Sequence, residues 1–245
     1  SRKVYDGLFG AGPDHEVVMD IFPTASRFID ASGLPPEAVR TTGVIALSKW
    51  NRLLLTSPRA LAQGYGWKDT AAHEYIHLVV SWRSKDRTPV WLQEGLAKNL
   101  EKAWRGERTD YLSVNQQRLL ADALQNDAFV PFEKFAKSMA YLDSGEEAAL
   151  AFAQVASMVG FLNEQAGDEA FPPLMDRIAL GESAEDVVAS LAGYTSFDNF
   201  KEGWKEHIAK MPLIRKKLKA TPIVLDGEGG DFADDPMLNN RLDLA

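Results

Sequence analysis

Apolar positions in this chain change their spacing near residue 67. Before that point they run in short blocks. Residues 17–22 read as a short strand and 24–31 as a short helix that ends before Gly33-Leu-Pro-Pro. The stretches 39–47 and 51–56 are rich in Val, Ile, Leu and Thr and predict two strands, separated by the polar pair Ser48-Lys49 and closed by Pro58. From Trp67 to about Met211 the apolar residues recur three and four apart. This periodicity predicts helices over about 68–81, 90–102, 113–126, 144–166, 168–180, 184–191 and 197–211. No internal repeat interrupts the series. A small sheet followed by a run of helices is an α+β order: a small N-terminal mixed-sheet lobe, a helix pair, then a mostly α-helical C-terminal lobe.

The chain has 245 residues, of which 45% are hydrophobic and 25% charged, the balance of an ordinary globular protein. The expected organisation is one catalytic unit over 1–212 with two lobes, about 1–81 and about 82–212, and a partly flexible tail over 213–245. The tail carries Asp226, Glu228, Asp231, Asp234 and Asp235 among glycines, but not at the alternating positions of a calcium loop, so a solvated segment is expected. Gly7-Leu-Phe-Gly-Ala-Gly follows no predicted strand and precedes no predicted helix, which argues against a phosphate-binding loop. The net charge of −8 argues against nucleic acid as a partner, because phosphate contacts need clustered Lys and Arg. No apolar run approaches the roughly 18–20 residues that span a bilayer. The chain starts at Ser1, so a removed export signal or upstream module stays an open expectation. With no cysteine, disulfides and thiolate metal sites are excluded, and an oxidising compartment and the cytoplasm remain equally compatible.

Two short motifs carry chemistry. In His73-Glu74-Tyr75-Ile76-His77 the imidazoles are four apart, one above the other on a helix, so both reach one ion, while Glu74 lies about 100° round the axis. The surrounding Ala71, Ala72, Ile76, Leu78, Val79 and Val80 predict a buried helix, in which two unpaired imidazoles would be costly. Sixteen residues further on, Trp91-Leu92-Gln93-Glu94-Gly95-Leu96-Ala97 offers Glu94 as a third ligand, on a helix begun by Pro89 whose apolar face returns it against the first. Two His and one Glu with an open position are a zinc hydrolase set, one ion per chain, with Glu74 as general base. His15 and His207 lie in polar surroundings and are expected to be solvated.

In these motifs the chain resembles the gluzincin metallopeptidases and, within them, the compact bacterial peptidase MA-like group. The resemblance extends more weakly through Phe152-Ala-Gln-Val-Ala-Ser-Met-Val-Gly-Phe-Leu, Gly167, Gly181-Glu-Ser and Gly193-Tyr-Thr-Ser-Phe to Trp204, covering about 38–210. It implies hydrolysis of peptide or protein substrates in a cleft between the two lobes. It also implies an edge strand that binds substrate backbone, for which 51–56 is the candidate, a plain internal strand being the equal alternative. Such sites often place an acid about one turn after the ligand Glu; Lys98 and Asn99 stand there, leaving Asn99 or Glu101 to substitute. Where aminopeptidase-like members carry a Tyr as oxyanion donor, this chain has Phe152. Another donor then acts, with Tyr141, Tyr65 and Gln154 as candidates, or the site is slow, or the domain is a zinc-bound binding module. An upstream helical-repeat module and a bacterial envelope or secreted location are further expectations from the same resemblance.

Overall fold

The computed structural model describes residues 2–37, 39, 43–106, 111–139 and 142–214. Strands Val18–Phe22 (β1), Ala46–Lys49 (β2) and Arg52–Thr56 (β3) form a mixed sheet in the order β1-β3-β2. β1 runs parallel to β3, and β2 antiparallel to it. The hairpin between β2 and β3 turns on Trp50 and Asn51, both in the left-handed region (φ 53° and 57°) as a two-residue turn between twisted strands requires. Ser48 and Lys49, expected as a separator, therefore belong to the strand. The expected strand over 39–47 is shorter and later than its composition suggests, since Pro36, Glu37 and Val39 have helical backbone and pairing begins only at Ala46.

The central place of β3 decides between the two readings of 51–56: it is an internal strand and not a substrate-binding edge. Leu53, Leu54 and Leu55 are all buried, because the strand has partners on both sides and cover on both faces. Leu53 and Leu55 join the main core, while Leu54 packs with Phe28 and Val39 on the other face. A strand covered on both faces reads as a continuous apolar run, which is why its sequence does not reveal which edge is free. Among the described strands, the edges are β1 and β2.

Helix Arg2–Leu8 (α1) was not foreseen; it is short, and Tyr5 and, just beyond it, Phe9 anchor it by complete burial. Ala25–Ser32 (α2) begins with the Thr24 hydroxyl accepting from Arg27 N–H and ends at Gly33 in the left-handed region. The main chain then enters Trp67–Ser84 (α3) and Val90–Leu100 (α4), the expected helix pair. α3 is buried on most of its circumference, from Ala71 to Val80, between sheet and helices. Val114–Asn126 (α5) carries a complete capping box through Ser113 and Gln116. Phe132–Phe135 (α6), Gly145–Ala166 (α7), Phe171–Ala179 (α8), Ala184–Leu191 (α9) and Phe197–Lys210 (α10) complete the helical part.

α4 and α7 approach most closely at Gly95, where an added Cβ would stand 2.8 Å from the Val155 carbonyl oxygen. The glycine after Glu94 is thus a packing requirement that sets the depth of the neighbouring carboxylate. Among the described residues no helix is long and apolar enough to cross a membrane. The described residues belong to a compact unit over Ser1–Arg215. The expected acidic tail lies outside them from Arg215 onward, as does Tyr141.

Candidate metal centre

α3 and α4 bring His73, His77 and Glu94 together, with one ligand atom from each within 4.8 Å of the others. The two Nε2 atoms are 3.1 Å apart, and Glu94 Oε2 stands 3.5 Å from His73 Nε2 and 3.7 Å from His77 Nε2. Zinc bound at about 2.0–2.2 Å in tetrahedral geometry sets its ligand atoms about 3.3–3.6 Å apart. The three donor separations bracket that range.

The outer nitrogens explain the aim of the inner ones. His73 Nδ1 donates to Glu101 Oε2 at 3.1 Å, and His77 Nδ1 donates to Gln93 Oε1 at 3.3 Å. Gln93 is held the right way round because its Nε2 donates to the Thr88 carbonyl at 3.3 Å. With each Nδ1 committed to an oxygen acceptor, Nε2 is in both rings the nitrogen that faces inward and is left for a metal. Glu101 lies two helical turns beyond Glu94 on the same side of α4, and both its oxygens accept from Lys98 Nζ at 3.1 Å. Of the two substitutes for the missing acid, Glu101 takes the place. Asn99 instead donates to the Ala156 carbonyl and joins α4 to α7. Gln93 was missed as a partner; its position directly before the ligand Glu was the available signal.

The two imidazoles are shifted in opposite directions. Burial pulls His73 down, but its hydrogen bonds to Glu101 and Glu94 outweigh burial and hold it up at about 9. His77 has only an amide behind it, so burial pushes it down to about 4, with His73 adding to the effect against the pull of Glu94. Glu94 is lowered because its imidazole contacts overcome its own desolvation. Glu74, 8% exposed, is pushed up to about 7, chiefly by burial, with His73 and the Ser48 backbone opposing.

A shallow cleft of about 330 Å³ opens over the site, lined by Ser48, His77, Ser81, Val90, Gln93 and Glu94. The candidate oxyanion donors lie elsewhere or are engaged. Tyr65 Oη donates to the Thr56 carbonyl. Gln154 accepts from Val130 N–H at 2.8 Å and donates to Val130 O at 3.0 Å. Tyr141 lies outside the described residues. Phe152 on α7 is half-buried and belongs to neither apolar cluster.

The other histidines stand apart from the centre. His15 is half-exposed beside Asp14. His207 is not solvated as expected: its Nδ1 pairs with Glu164 at 3.3 Å, and its ring lies 5.1 Å from that of Phe161, because α10 packs that face onto α7.

A family model described as the peptidase MA superfamily matches residues 5–210. No curated protein and no solved structure gives a match.

Proposed function

The chain belongs to the peptidase MA superfamily, and on that premise we propose that it is a zinc-dependent metallopeptidase acting on peptide or protein substrates. The observation that carries the proposal is the convergence of two inward Nε2 atoms and Glu94 Oε2, separated by 3.1, 3.5 and 3.7 Å. In this reading His73, His77 and Glu94 hold one zinc ion per chain. A zinc ion there supplies Lewis acidity toward a peptide carbonyl and toward water. Glu74 acts as general base, since a buried carboxylate held near 7 takes up a proton at neutral pH and releases it again. Glu101 and Gln93 keep the imidazoles in register. The strand-addition role expected of 51–56 passes to β2, an edge strand whose Ser48 lines the cleft. The catalytic unit spans 1–212 in this proposal.

Replacing Glu74 by Gln tests the base directly. The variant should retain stoichiometric zinc by elemental analysis, while kcat/KM on a peptide cleaved by the parent falls by about 10²–10⁴-fold. Equal turnover would remove Glu74 from the mechanism.

A second reading, a slow or inactive zinc-bound module that binds peptides, is favoured by one observation: Tyr65 and Gln154 are both committed to backbone groups. If Phe152 marks a lost oxyanion donor, Phe152→Tyr raises kcat/KM, by up to about 10²-fold for an ideally placed hydroxyl. No gain, with zinc content and thermal midpoint unchanged, assigns the donor elsewhere.

A further inference from the structure

α3 has a second working face. Lys68, Ala71, Ala72 and Tyr75 recur at helical spacing roughly half a turn round the axis from His73 and His77. They line a cavity of about 500 Å³, within the roughly 300–1,000 Å³ range of small-molecule sites. Its floor is apolar and built from distant parts of the chain: Tyr5 of α1, Leu53 of β3, and Ala71, Ala72 and Tyr75 are all buried there. Trp67 and Trp104 form its sides, with the Lys68 ammonium 5.9 and 5.8 Å from their ring centroids. None of the candidate metal ligands, nor Glu74, lines it.

Three charged side chains border the cavity: Arg2, Glu16 and Lys68. Arg2 is already engaged on all three of its nitrogens, donating to Asp6 at 3.2 Å, to the His15 carbonyl at 3.3 Å and to the Pro13 carbonyl. Asp6 is used as well, since it also accepts from Tyr75 Oη at 2.6 Å. Lys68 and Glu16 are exposed, and neither has an oppositely charged side chain at ion-pair distance among the described residues. The cavity thus combines an aromatic interior with one cation and one carboxylate that have no ion-pair partner among the described residues.

We infer that this cavity binds a free apolar amino acid as its zwitterion. The carboxylate meets Lys68, the ammonium meets Glu16, and the side chain enters the space between Tyr5, Tyr75 and the two indoles. A simple apolar carboxylate is disfavoured by Glu16. An organic cation is disfavoured by Lys68, which already occupies the flanks of Trp67 and Trp104. The inference does not depend on the peptidase reading, because no residue assigned to hydrolysis borders the cavity.

Titration calorimetry of the zinc-loaded full chain with L-phenylalanine, L-phenylalaninamide and N-acetyl-L-phenylalanine tests it. L-phenylalanine should saturate at one per chain, and each blocked analogue should bind at least about tenfold more weakly. Lys68→Gln and Glu16→Gln, both at exposed positions and therefore safe for folding, should each weaken L-phenylalanine by about tenfold. Lys68→Gln should in addition close the gap to the amide, and Glu16→Gln the gap to the acetylated form. His77→Ala should leave L-phenylalanine binding intact. Absence of saturable binding, indifference to both charge-removing substitutions, or loss of binding in His77→Ala would overturn the assignment, the last by placing the ligand at the metal centre.

Discussion

The two faces of α3 differ in what burial demands of them. On one side, two imidazoles and a carboxylate lie mostly out of water, so nearly every polar atom must find a partner. Glu101, Gln93 and Glu94 meet that demand for the imidazoles. On the other side alanines and rings face a cavity, and the main polar group of the helix there, the Tyr75 hydroxyl, is taken by Asp6. The first face is held by directional bonds and the second by shape. Their partners also come from different distances: Gln93 and Glu94 follow α3 in the next helix and Glu101 caps its end, whereas Tyr5, Asp6 and Leu53 precede α3 and arrive through tertiary packing. A directional face should fail abruptly when one group is lost, and a shaped face gradually.

The largest break in this comparison is removal of a ligand. His77→Ala or Glu94→Ala should leave no stoichiometric zinc after dialysis, measured by elemental analysis, because two donors do not make a closed site. Far-ultraviolet circular dichroism should show the helices retained, since the apolar cover of α3 is unchanged. Full zinc occupancy in either variant would refute the assignment of the centre.

A smaller effect separates the two imidazole supports. Glu101→Gln and Gln93→Ala should each weaken zinc by about 10–100-fold in competition with a chelating dye. The loss should be greater for Glu101→Gln, because a charge-assisted bond to a carboxylate is roughly twice as strong as one to an amide. A greater loss from Gln93→Ala would reverse the ranking of the two supports.

The smallest effect tests packing behind the first face. In Gly95→Ala the new Cβ meets the Val155 carbonyl at 2.8 Å, and the strain should cost about 1–3 kcal/mol in denaturant unfolding. Unchanged stability would mean that α4 and α7 separate freely at this point.

The candidate centre was legible in the sequence to an unusual degree, and for a local reason. Residues four apart on a helix share a face whatever the rest of the chain does, so His73, Glu74 and His77 could be placed from spacing alone. Apolar period likewise located most helices from α3 onward to within a few positions, as with α5 and α7, expected over 113–126 and 144–166. Where periodicity was absent the reading failed. The short α1 spans two turns, too few to set up a period, and the run 39–47 was apolar enough for a strand yet pairs only from Ala46.

Composition and spacing by themselves determined the α+β order, the helix pair and the donor set for a metal. Only the tertiary structure decided that β3 is central and β2 an edge, that Glu101 rather than Asn99 stands behind His73, and that a cavity lies on the reverse of α3. The physical reason is the same in each case. Helical geometry relates residues three to seven apart without reference to anything else, whereas strand order, the choice between two nearby acceptors and an enclosed space depend on which distant surfaces pack together, a result of the whole core rather than of any segment.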